Sequence, residues 1–180
     1  MTANTSPDLQ PTLEGPRITV RPIQESDWAG LFEAASDPLV WEQHPAKERY
    51  QEDQFRVYFD DAINCGSAFT FVEKESGKLI GSSRYHGFEP ELSEIEIGWT
   101  FIGRDYWGGS YNGEIKKLML EHAFTFVNTV VFWVGEDNMR SQKAVEKIGG
   151  VKREGNFTRK HGDTDFPYVV FELRKDNFAL

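Results

Sequence analysis

Alternating and short apolar runs along the chain predict a series of β-strands. Residues 17–21 alternate with period two, and residues 68–73 and 78–86 are apolar or β-branched runs separated by Glu75-Ser76-Gly77. A glycine at such a turn is typical of an antiparallel hairpin. Further strands are predicted at residues 129–134, at 151–157 and at 168–173, the last two flanking a polar turn at 161–163. The almost wholly apolar run at 129–134 indicates a strand in the middle of the sheet.

The segment from Ser93 to Phe101 has the clearest alternation of all. Successive side chains of a strand point to opposite faces of the sheet. One face is therefore predicted to carry Ile95, Ile97, Trp99 and Phe101. The opposite face is predicted to carry Glu94, Glu96, Gly98 and Thr100.

Apolar residues at helical spacing predict about four helices, which together with about seven strands indicate a mixed α/β domain. The first helix follows Ser26 or Asp27 and is stopped by Asp37-Pro38, and the second covers residues 48–62. A third follows the glycine-rich segment 106–113. A fourth begins at Asp137 or Asn138 and ends at Gly149-Gly150. Residues 1–12 are polar and aperiodic, and are predicted to be a flexible tail.

The charge balance and the cysteine content exclude some classes of function. The 180 residues include 20 Lys and Arg against 29 Asp and Glu, a formal net charge of −9. Such a surface repels phosphate backbones and anionic headgroups, so neither nucleic acid nor a membrane is expected as a partner, whereas a cationic amine is attracted. A single cysteine, Cys65, and an N-terminus without an apolar targeting segment favour the cytoplasm. The four histidines lack metal-ligand spacing, so no metal is expected.

The segment 106–113 places glycines between a predicted strand and a predicted helix. Glycines leave backbone N–H groups unobstructed, and the N-terminus of a helix favours an anion. The segment has neither the spacing of a nucleotide-triphosphate loop nor the GxGxxG of a dinucleotide site. It is interpreted as a phosphate cradle or, alternatively, as a tight structural connection.

Four segments, in chain order, resemble the GNAT superfamily of acetyl-CoA-dependent N-acetyltransferases, and in particular its RimJ/RimL-like branch, which acetylates protein N-termini. The resemblance covers about residues 13 to 175. It rests on Leu13-Glu14-Gly15-Pro16-Arg17-Ile18-Thr19-Val20-Arg21-Pro22, on Glu96-Ile97-Gly98-Trp99, on Tyr106-Trp107-Gly108-Gly109-Ser110-Tyr111 with Glu114, and on Asn138-Met139-Arg140-Ser141 with Glu146-Lys147-Ile148-Gly149.

The resemblance implies a GNAT fold for residues 13–180, with a central, mostly antiparallel sheet that is split to admit the pantetheine arm of acetyl-CoA. Acetyl-CoA is then a co-substrate, bound by the glycine-rich loop and by the strand before it. The residues that the resemblance assigns to this binding are Trp99, Thr100, Phe101, Ile102, Trp107, Gly108, Gly109, Ser110, Tyr111, Asn112, Gly113 and Asn138.

Acetyl transfer to an amine needs one group that takes the amine proton and another that protonates the leaving thiolate. On the resemblance, Glu96 is the candidate base, acting through water, and Ser141 is the candidate acid. Each has a structural alternative, because a strand glutamate is commonly solvated and Ser141 fits the first turn of a helix capped by Asn138. Cys65 is remote in sequence from the loop, so direct transfer in a ternary complex is expected, without a covalent acyl-enzyme.

Departures from the family pattern keep other functions open. Ser110 stands at the second glycine position of the loop, where a positive φ would strain it, and Asn112 replaces a small residue. Val145 stands where many relatives have a tyrosine that protonates the thiolate. A non-catalytic acyl-CoA-binding or regulatory module is therefore an alternative.

The amine acceptor is open as well. The branch implies a protein N-terminal amine, whereas similar folds acetylate polyamines, aminoglycosides and amino-acid-like molecules. Trp41-Glu42-Gln43-His44-Pro45, between the first two predicted helices, is interpreted as an acceptor pocket or as a packed loop. Arg159-Lys160-His161, at a predicted hairpin turn, is interpreted as a solvated tip. If the chain associates with itself, the commonest assembly is a homodimer.

Overall fold

The computed structural model describes residues 6–178 and contains one nine-stranded sheet. The strands are β1 (Leu13–Glu14), β2 (Ile18–Pro22), β3 (Ala68–Glu73), β4 (Leu79–Glu89), β5 (Glu94–Ile102), β6 (Thr129–Gly135), β7 (Val151–Lys152), β8 (Phe157–His161) and β9 (Thr164–Arg174). Their order is β1-β2-β3-β4-β5-β6-β9-β7, and β8 pairs with β9. Strands β5 and β6 are parallel, and the other pairings in the described residues are antiparallel.

Five helices pack against this sheet in two groups. They are α1 (Trp28–Ala35), α2 (Pro38–Trp41), α3 (Glu52–Asn64), α4 (Tyr111–Ala123) and α5 (Met139–Lys147). Helices α1, α2 and α3 form one buried cluster around Phe55 and Phe59, and α4 with Val145 of α5 forms the other around Ile115. The predicted mixed, mostly antiparallel fold is confirmed, with more elements than the pattern indicated. No helix within residues 6–178 has the length and apolarity needed to cross a membrane.

The additional helix, α2, arises where the sequence was expected only to stop α1. The Asp37 side chain accepts a hydrogen bond from the Leu39 backbone N–H at 3.0 Å, and Pro38 occupies the first turn. Proline is favoured there because that position needs no backbone donor. Asp37-Pro38 therefore begins a second helix directly after the first one ends.

A β-bulge interrupts β5 in its second half. Gly98 and Phe101 pair with Arg84 and Ser82 of β4. Trp99 and Thr100 lie between them, so two residues of β5 stand opposite the single residue Ser83. Trp99 has a φ of 53°, in the left-handed region that residues other than glycine rarely adopt. An inserted residue of this kind bends a strand and reverses the faces of the side chains that follow.

The bulge overturns the predicted alternation of β5. Ile95 and Ile97 share a buried cluster with Ile102, whereas Phe101 belongs to the cluster of α1, α2 and α3. The prediction that Trp99 and Phe101 share a face with Ile95 and Ile97 is wrong, because a period-two pattern carries no signal for an inserted residue.

Strands β5 and β6 separate shortly before the bulge. Their parallel pairing joins Glu94, Ile95 and Glu96 to residues 129–131 and ends there. Strand β6 continues along β9, so it lies in the middle of the sheet as predicted. The second half of β5 therefore has β4 on one side and an opening on the other.

The C-terminal strands differ from the prediction. A single strand was predicted over residues 151–157, but β7 ends at Lys152 and Gly155 has a φ of 134°. Strand β8 begins at Phe157 and forms a hairpin with β9 through the turn at Gly162. The polar turn was therefore located correctly, while the strands on both sides of it lie closer to the turn than predicted.

The predicted flexible tail, residues 1–12, is packed against the domain in its described part. Leu9 lies on the buried cluster of α4, and the Gln10 side chain donates to the Ala68 carbonyl oxygen at 2.8 Å. The Asp8 carbonyl oxygen lies 2.7 Å from His122 Nε2. Residues 1–5 of that prediction lie outside the described residues.

We predict that Asp27 is a main contributor to the stability of the domain. Its side chain is 2% exposed and accepts hydrogen bonds from Arg21, the Gln24 backbone N–H and Thr70. Burial raises its pKa, but these bonds outweigh burial and hold the pKa below the ordinary 3.8. Asp27→Asn should lower the free energy of unfolding by roughly 3 kcal/mol at pH 7, measured by urea denaturation.

Urea denaturation at lower pH tests the direction of the pKa shift of Asp27. Because the pKa is depressed, the stabilisation by Asp27 is complete above its ordinary pKa and is lost as the pH falls through the lower folded value. The difference between wild type and Asp27→Asn should therefore shrink below about pH 4. The control is Asp60→Asn, an exposed partner of Arg56, with an expected change within about 0.5 kcal/mol. Equal effects of the two substitutions would contradict the prediction.

Candidate active site

The opening between β5 and β6 is a cavity of about 860 Å³ that continues to the glycine-rich loop before α4. All residues predicted for the site line it except Glu96 and Tyr111. The lining residues from that set are Trp99, Thr100, Phe101, Ile102, Trp107, Gly108, Gly109, Ser110, Asn112, Gly113, Asn138 and Ser141. The fold therefore brings the strand, the loop and the start of α5 together around one space.

The glycine-rich loop presents bare backbone to one end of this cavity. Gly108 has a φ of 71°, and a Cβ added to Gly108 or Gly113 would meet nothing within 4 Å. Ser110 has a φ of −90°, so the predicted strain at Ser110 is wrong, because the left-handed conformation falls on Gly108 instead. The N-terminus of α4 follows directly. Unobstructed N–H groups at a helix N-terminus fit the pyrophosphate of CoA.

Glu114 fixes this loop to the start of β2. Its Oε1 atom accepts hydrogen bonds from the backbone N–H groups of Arg17 at 2.8 Å and Ile18 at 3.0 Å. The Arg17 guanidinium lies over the Tyr111 ring and donates to the Ser110 hydroxyl. Tyr111 itself donates its hydroxyl to Glu73 and supports the loop from outside the cavity.

A second cavity, of about 700 Å³, opens beside Trp99. Its walls come from the segment after α2, from Tyr58 of α3, from β4 and from the β8–β9 hairpin. The predicted acceptor loop contributes Gln43, His44 and Pro45 to these walls, while Trp41 packs in the core. Trp99 and His44 line both cavities, so the two spaces meet at these side chains.

Residues 17–151 match the family model described as an Acetyltransferase (GNAT) domain. This chain belongs to the GNAT acetyltransferase family. The enzyme is 26% identical to the Uncharacterized N-acetyltransferase YnaD of Bacillus subtilis (strain 168) over 145 residues, which cover 79% of this chain and 84% of that protein.

Solved structures support the fold of the enzyme. A GCN5-related N-acetyltransferase from Brucella melitensis is similar with a TM-score of 0.81 and 20% identity, covering 97% of this chain and 84% of that chain. A Vibrio cholerae protein assigned as a ribosomal-protein-serine acetyltransferase has a TM-score of 0.74 and 14% identity, covering 94% and 99%.

Glu96 of the acetyltransferase is 4% exposed and is held by Arg159. The Arg159 Nη1 and Nη2 atoms donate to its two carboxylate oxygens at 2.8 and 2.5 Å. Glu96 lines neither cavity. This geometry matches neither the predicted base nor the solvated alternative, because the carboxylate faces a guanidinium. The pair ties β5 to β8, so the prediction of a solvated tip is wrong for Arg159.

Asn138 and Ser141 lie at the start of α5 and at the wall of a cavity. The Asn138 Oδ1 atom accepts a hydrogen bond from the Ser141 backbone N–H at 3.2 Å and caps α5. Both residues also line the cavity between β5 and β6. Val145, one turn further along α5, gives the cavity an apolar surface. The Ser141 hydroxyl is therefore a polar group of α5 at this wall, as the prediction of an acid requires.

Two residues that the sequence analysis did not assign to the site connect the cavities. The Tyr168 hydroxyl and His161 Nε2 are hydrogen-bonded, with Tyr168 in the cavity between β5 and β6 and His161 in the second cavity. Burial lowers the pKa of His161, and the charges of Arg49 and Arg159 lower it further. Burial raises the pKa of Tyr168. The pair is therefore uncharged near neutral pH and can pass a proton between the cavities.

Lys116 is a further residue that the sequence analysis missed. It lies in α4 with 7% exposure, donates to Thr100 Oγ1 at 3.1 Å and lines the cavity between β5 and β6. Burial lowers its pKa to about 8. A charged side chain in a helix gives no signal of burial in the sequence, because helical lysines are commonly solvated. Lys116 supports the bulge through Thr100.

We predict that Gly108→Ala weakens acetyl-CoA binding. Alanine in the left-handed region costs about 1–2 kcal/mol, which would shift the loop and raise the Kd for acetyl-CoA about tenfold. Isothermal titration measures this change. Gly77→Ala is a matched control, because Gly77 has the same φ of 71° with open space around it and lies outside both cavities. The same Kd in both variants would exclude a binding role for the loop conformation.

We predict that the Tyr168 hydroxyl takes part in proton transfer. Tyr168→Phe should lower kcat by about 100-fold and leave the Kd for acetyl-CoA within about twofold, since a positioned proton donor contributes on that scale. The control is Tyr50→Phe, whose side chain lines neither cavity. An unchanged kcat in Tyr168→Phe would remove Tyr168 from the mechanism.

The pH profile tests His161 separately. Its pKa lies below the ordinary 6.5, so it accepts a proton at neutral pH and loses this ability only as the pH falls through the lower value. The acidic limb of kcat/KM should therefore lie below pH 6.5 and disappear in His161→Gln. A limb that persists in this variant would assign the titration to another group.

Proposed function

We propose that the enzyme transfers the acetyl group of acetyl-CoA directly to a primary amine in a ternary complex, and that the amine is a protein N-terminus. The observation that carries the proposal is the junction of the two cavities at Trp99 and His44. Acetyl-CoA enters from the side of the glycine-rich loop, and the acceptor enters from the other side. Two substrates can then be bound at the same time, with their reacting ends next to Trp99.

The chain supplies the groups that such a transfer needs. Acetyl-CoA brings the reactive thioester. Backbone N–H groups of β5 beyond Glu96 have no partner strand on the cavity side, and they are candidates for donors to the thioester oxygen as it gains charge. His161 takes the amine proton, and Tyr168 or Ser141 supplies the proton for the thiolate. In this scheme Glu96 is a positioning residue that acts through Arg159.

Direct transfer agrees with the position of Cys65. This thiol follows α3, is exposed and lines neither cavity. Within residues 6–178, no group of three or more His, Cys, Asp or Glu side chains is arranged to hold a metal ion. Proton transfer by side chains is the chemistry that we propose, in a cytoplasmic enzyme.

The protein N-terminal acceptor rests on two supports. The motifs from Leu13 to Gly149 resemble the RimJ/RimL-like branch, and the fold is similar to that of the Vibrio cholerae ribosomal-protein-serine acetyltransferase. The second cavity lies between α3 and the β8–β9 hairpin and is partly open to solvent. An open cavity of this kind admits the end of a peptide as well as a small molecule.

The test is CoA release in the presence of different amines. Peptides with free N-termini should give saturable release above the rates with a polyamine, with an aminoglycoside and with N-terminally blocked peptides. Cys65→Ser should keep kcat/KM within about twofold, because this change lies outside the cavities. If CoA is released with polyamines and not with peptides, the acceptor is a polyamine and the proposed protein N-terminus is wrong. Acetyl-CoA binding without release for any amine would favour the non-catalytic alternative.

A further inference from the structure

The second cavity contains two guanidinium groups that no carboxylate neutralises. Arg84 comes from β4 and is 6% exposed, and Arg49 comes from the turn before α3 and is half-buried. In the described residues, neither has a carboxylate oxygen within 4.0 Å. Arg21 and Arg159, by contrast, are paired with Asp27 and Glu96. The cavity therefore differs from the other places where arginines are buried in this enzyme.

Arg84 is under-satisfied as well as unpaired. Its guanidinium lies near the rings of Tyr58 and Trp99, with centroid distances of 5.2 and 4.9 Å. One nitrogen, Nη2, donates to the Tyr58 carbonyl oxygen at 3.3 Å, and the buried Nε has no hydrogen-bond partner. A buried charge without a counter-ion is costly, and a buried donor without an acceptor adds to that cost. Both costs are relieved by an anion bound in the cavity.

Arg49 adds a second positive charge at the same place. Its guanidinium lies 5.1 Å from the centroid of the Tyr58 ring, which it shares with Arg84. Burial lowers the pKa of Arg49 and the neighbouring charge of Arg84 lowers it further, while the charge of Asp61 partly opposes this shift. His44 and His161 also line the cavity, and their lowered pKa values keep them neutral. Apart from the exposed Lys47, the positive charges that line this cavity are therefore the two arginines.

Four carboxylates also line this cavity, those of Glu48, Asp61, Glu136 and Asp137. They are exposed, and Glu136 and Asp137 directly follow β6, next to Asn138. This arrangement gives the cavity a buried cationic wall and an exposed anionic wall. Exposed carboxylates attract a protonated amine as it approaches, and they disfavour a dianion such as a phosphate group.

We propose that Arg84 and Arg49 form a subsite for a carboxylate of the acceptor, so that the preferred substrate is an amine with a carboxylate a few bonds away. This inference rests on the proposed function and narrows it. In a peptide, the side chain of an N-terminal Asp or Glu supplies this group, and in a free amino acid the molecule's own carboxylate does. Arg84 contacts Trp99, which lines both cavities, so a carboxylate bound there holds the amine beside the thioester. The preference is opposite to the cationic acceptor expected from the net charge of −9.

The test compares peptides of one sequence that begin with Asp, Asn, Glu, Gln or Lys, together with free aspartate. For the wild type we expect kcat/KM at least about tenfold higher for Asp or Glu than for Asn or Gln, mostly through KM, because paired guanidiniums bind a carboxylate strongly. In Arg84→Met this ratio should fall towards one. Arg56→Gln, an exposed arginine of α3 outside both cavities, should keep the wild-type ratio.

A second variant and a binding measurement keep the test decisive if Arg84→Met does not fold. Arg49→Gln changes a half-buried side chain and should also reduce the ratio. The wild type can also be titrated with the same peptides in the presence of CoA, which has no acetyl group to transfer. This titration measures the Kd of each peptide without turnover. Tighter binding of the Asp peptide than of the Asn peptide supports the subsite even if no peptide is acetylated, an outcome that would refute the proposed function alone.

Two outcomes refute the subsite. Acetylation of all five peptides with equal kcat/KM would leave the proposed function standing and overturn the inference. Displacement of the Asp peptide by inorganic phosphate, but not by succinate, would show that the arginines bind phosphate instead. If free aspartate has the higher kcat/KM, the carboxylate comes from a small molecule, and if the Asp peptide has it, from a polypeptide. Either result supports the subsite.

Discussion

The site depends on the loss of pairing between β5 and β6 after Glu96. Buried backbone N–H and C=O groups need hydrogen-bond partners, so a strand that leaves its neighbour must obtain them elsewhere. The bulge at Trp99 is held by the Tyr58 hydroxyl, which donates to the Trp99 carbonyl oxygen at 2.6 Å, and Ser83 donates to the Gly98 carbonyl oxygen at 3.2 Å. The remaining strand edge faces the cavity, where the amide groups of pantetheine can complete it.

The arginines with a structural role are paired with a carboxylate, whereas the arginines of the proposed subsite are not. Arg159 satisfies both oxygens of Glu96 and holds β8 against β5, which closes one side of the opening. Arg84 has no such carboxylate and lies between two aromatic rings at the junction of the cavities. The net charge of the whole chain therefore does not describe the acceptor cavity. Local pairing decides the potential there, because charges further apart than about 10 Å are screened.

Local features of the site were accessible to sequence analysis. The glycine-rich loop, the cap at Asn138 and the first turn of α5 lie within short segments, so spacing and residue type identify them together with their elements. Their mutual placement followed from the resemblance to the GNAT family. Tyr168 and His161 were not predicted, because their contact forms only when the β8–β9 hairpin takes its register. Arg84 was missed for the same reason, since its neighbours Tyr58 and Trp99 are distant in the sequence.

The amino-acid sequence by itself determined the fold class, the order of the main elements and the position of the loop that fits CoA, because hydrophobic periodicity and turn residues act over a few positions. It did not determine the direction of side chains beyond Trp99 or the partner of Glu96. Those were decided by the tertiary structure, since one inserted residue reverses the faces of a strand and an ion pair forms between residues 63 positions apart. The chemical character of the acceptor cavity is likewise decided by folding, because the Arg84 guanidinium is buried without a counter-ion only when β4, α3 and β5 pack together.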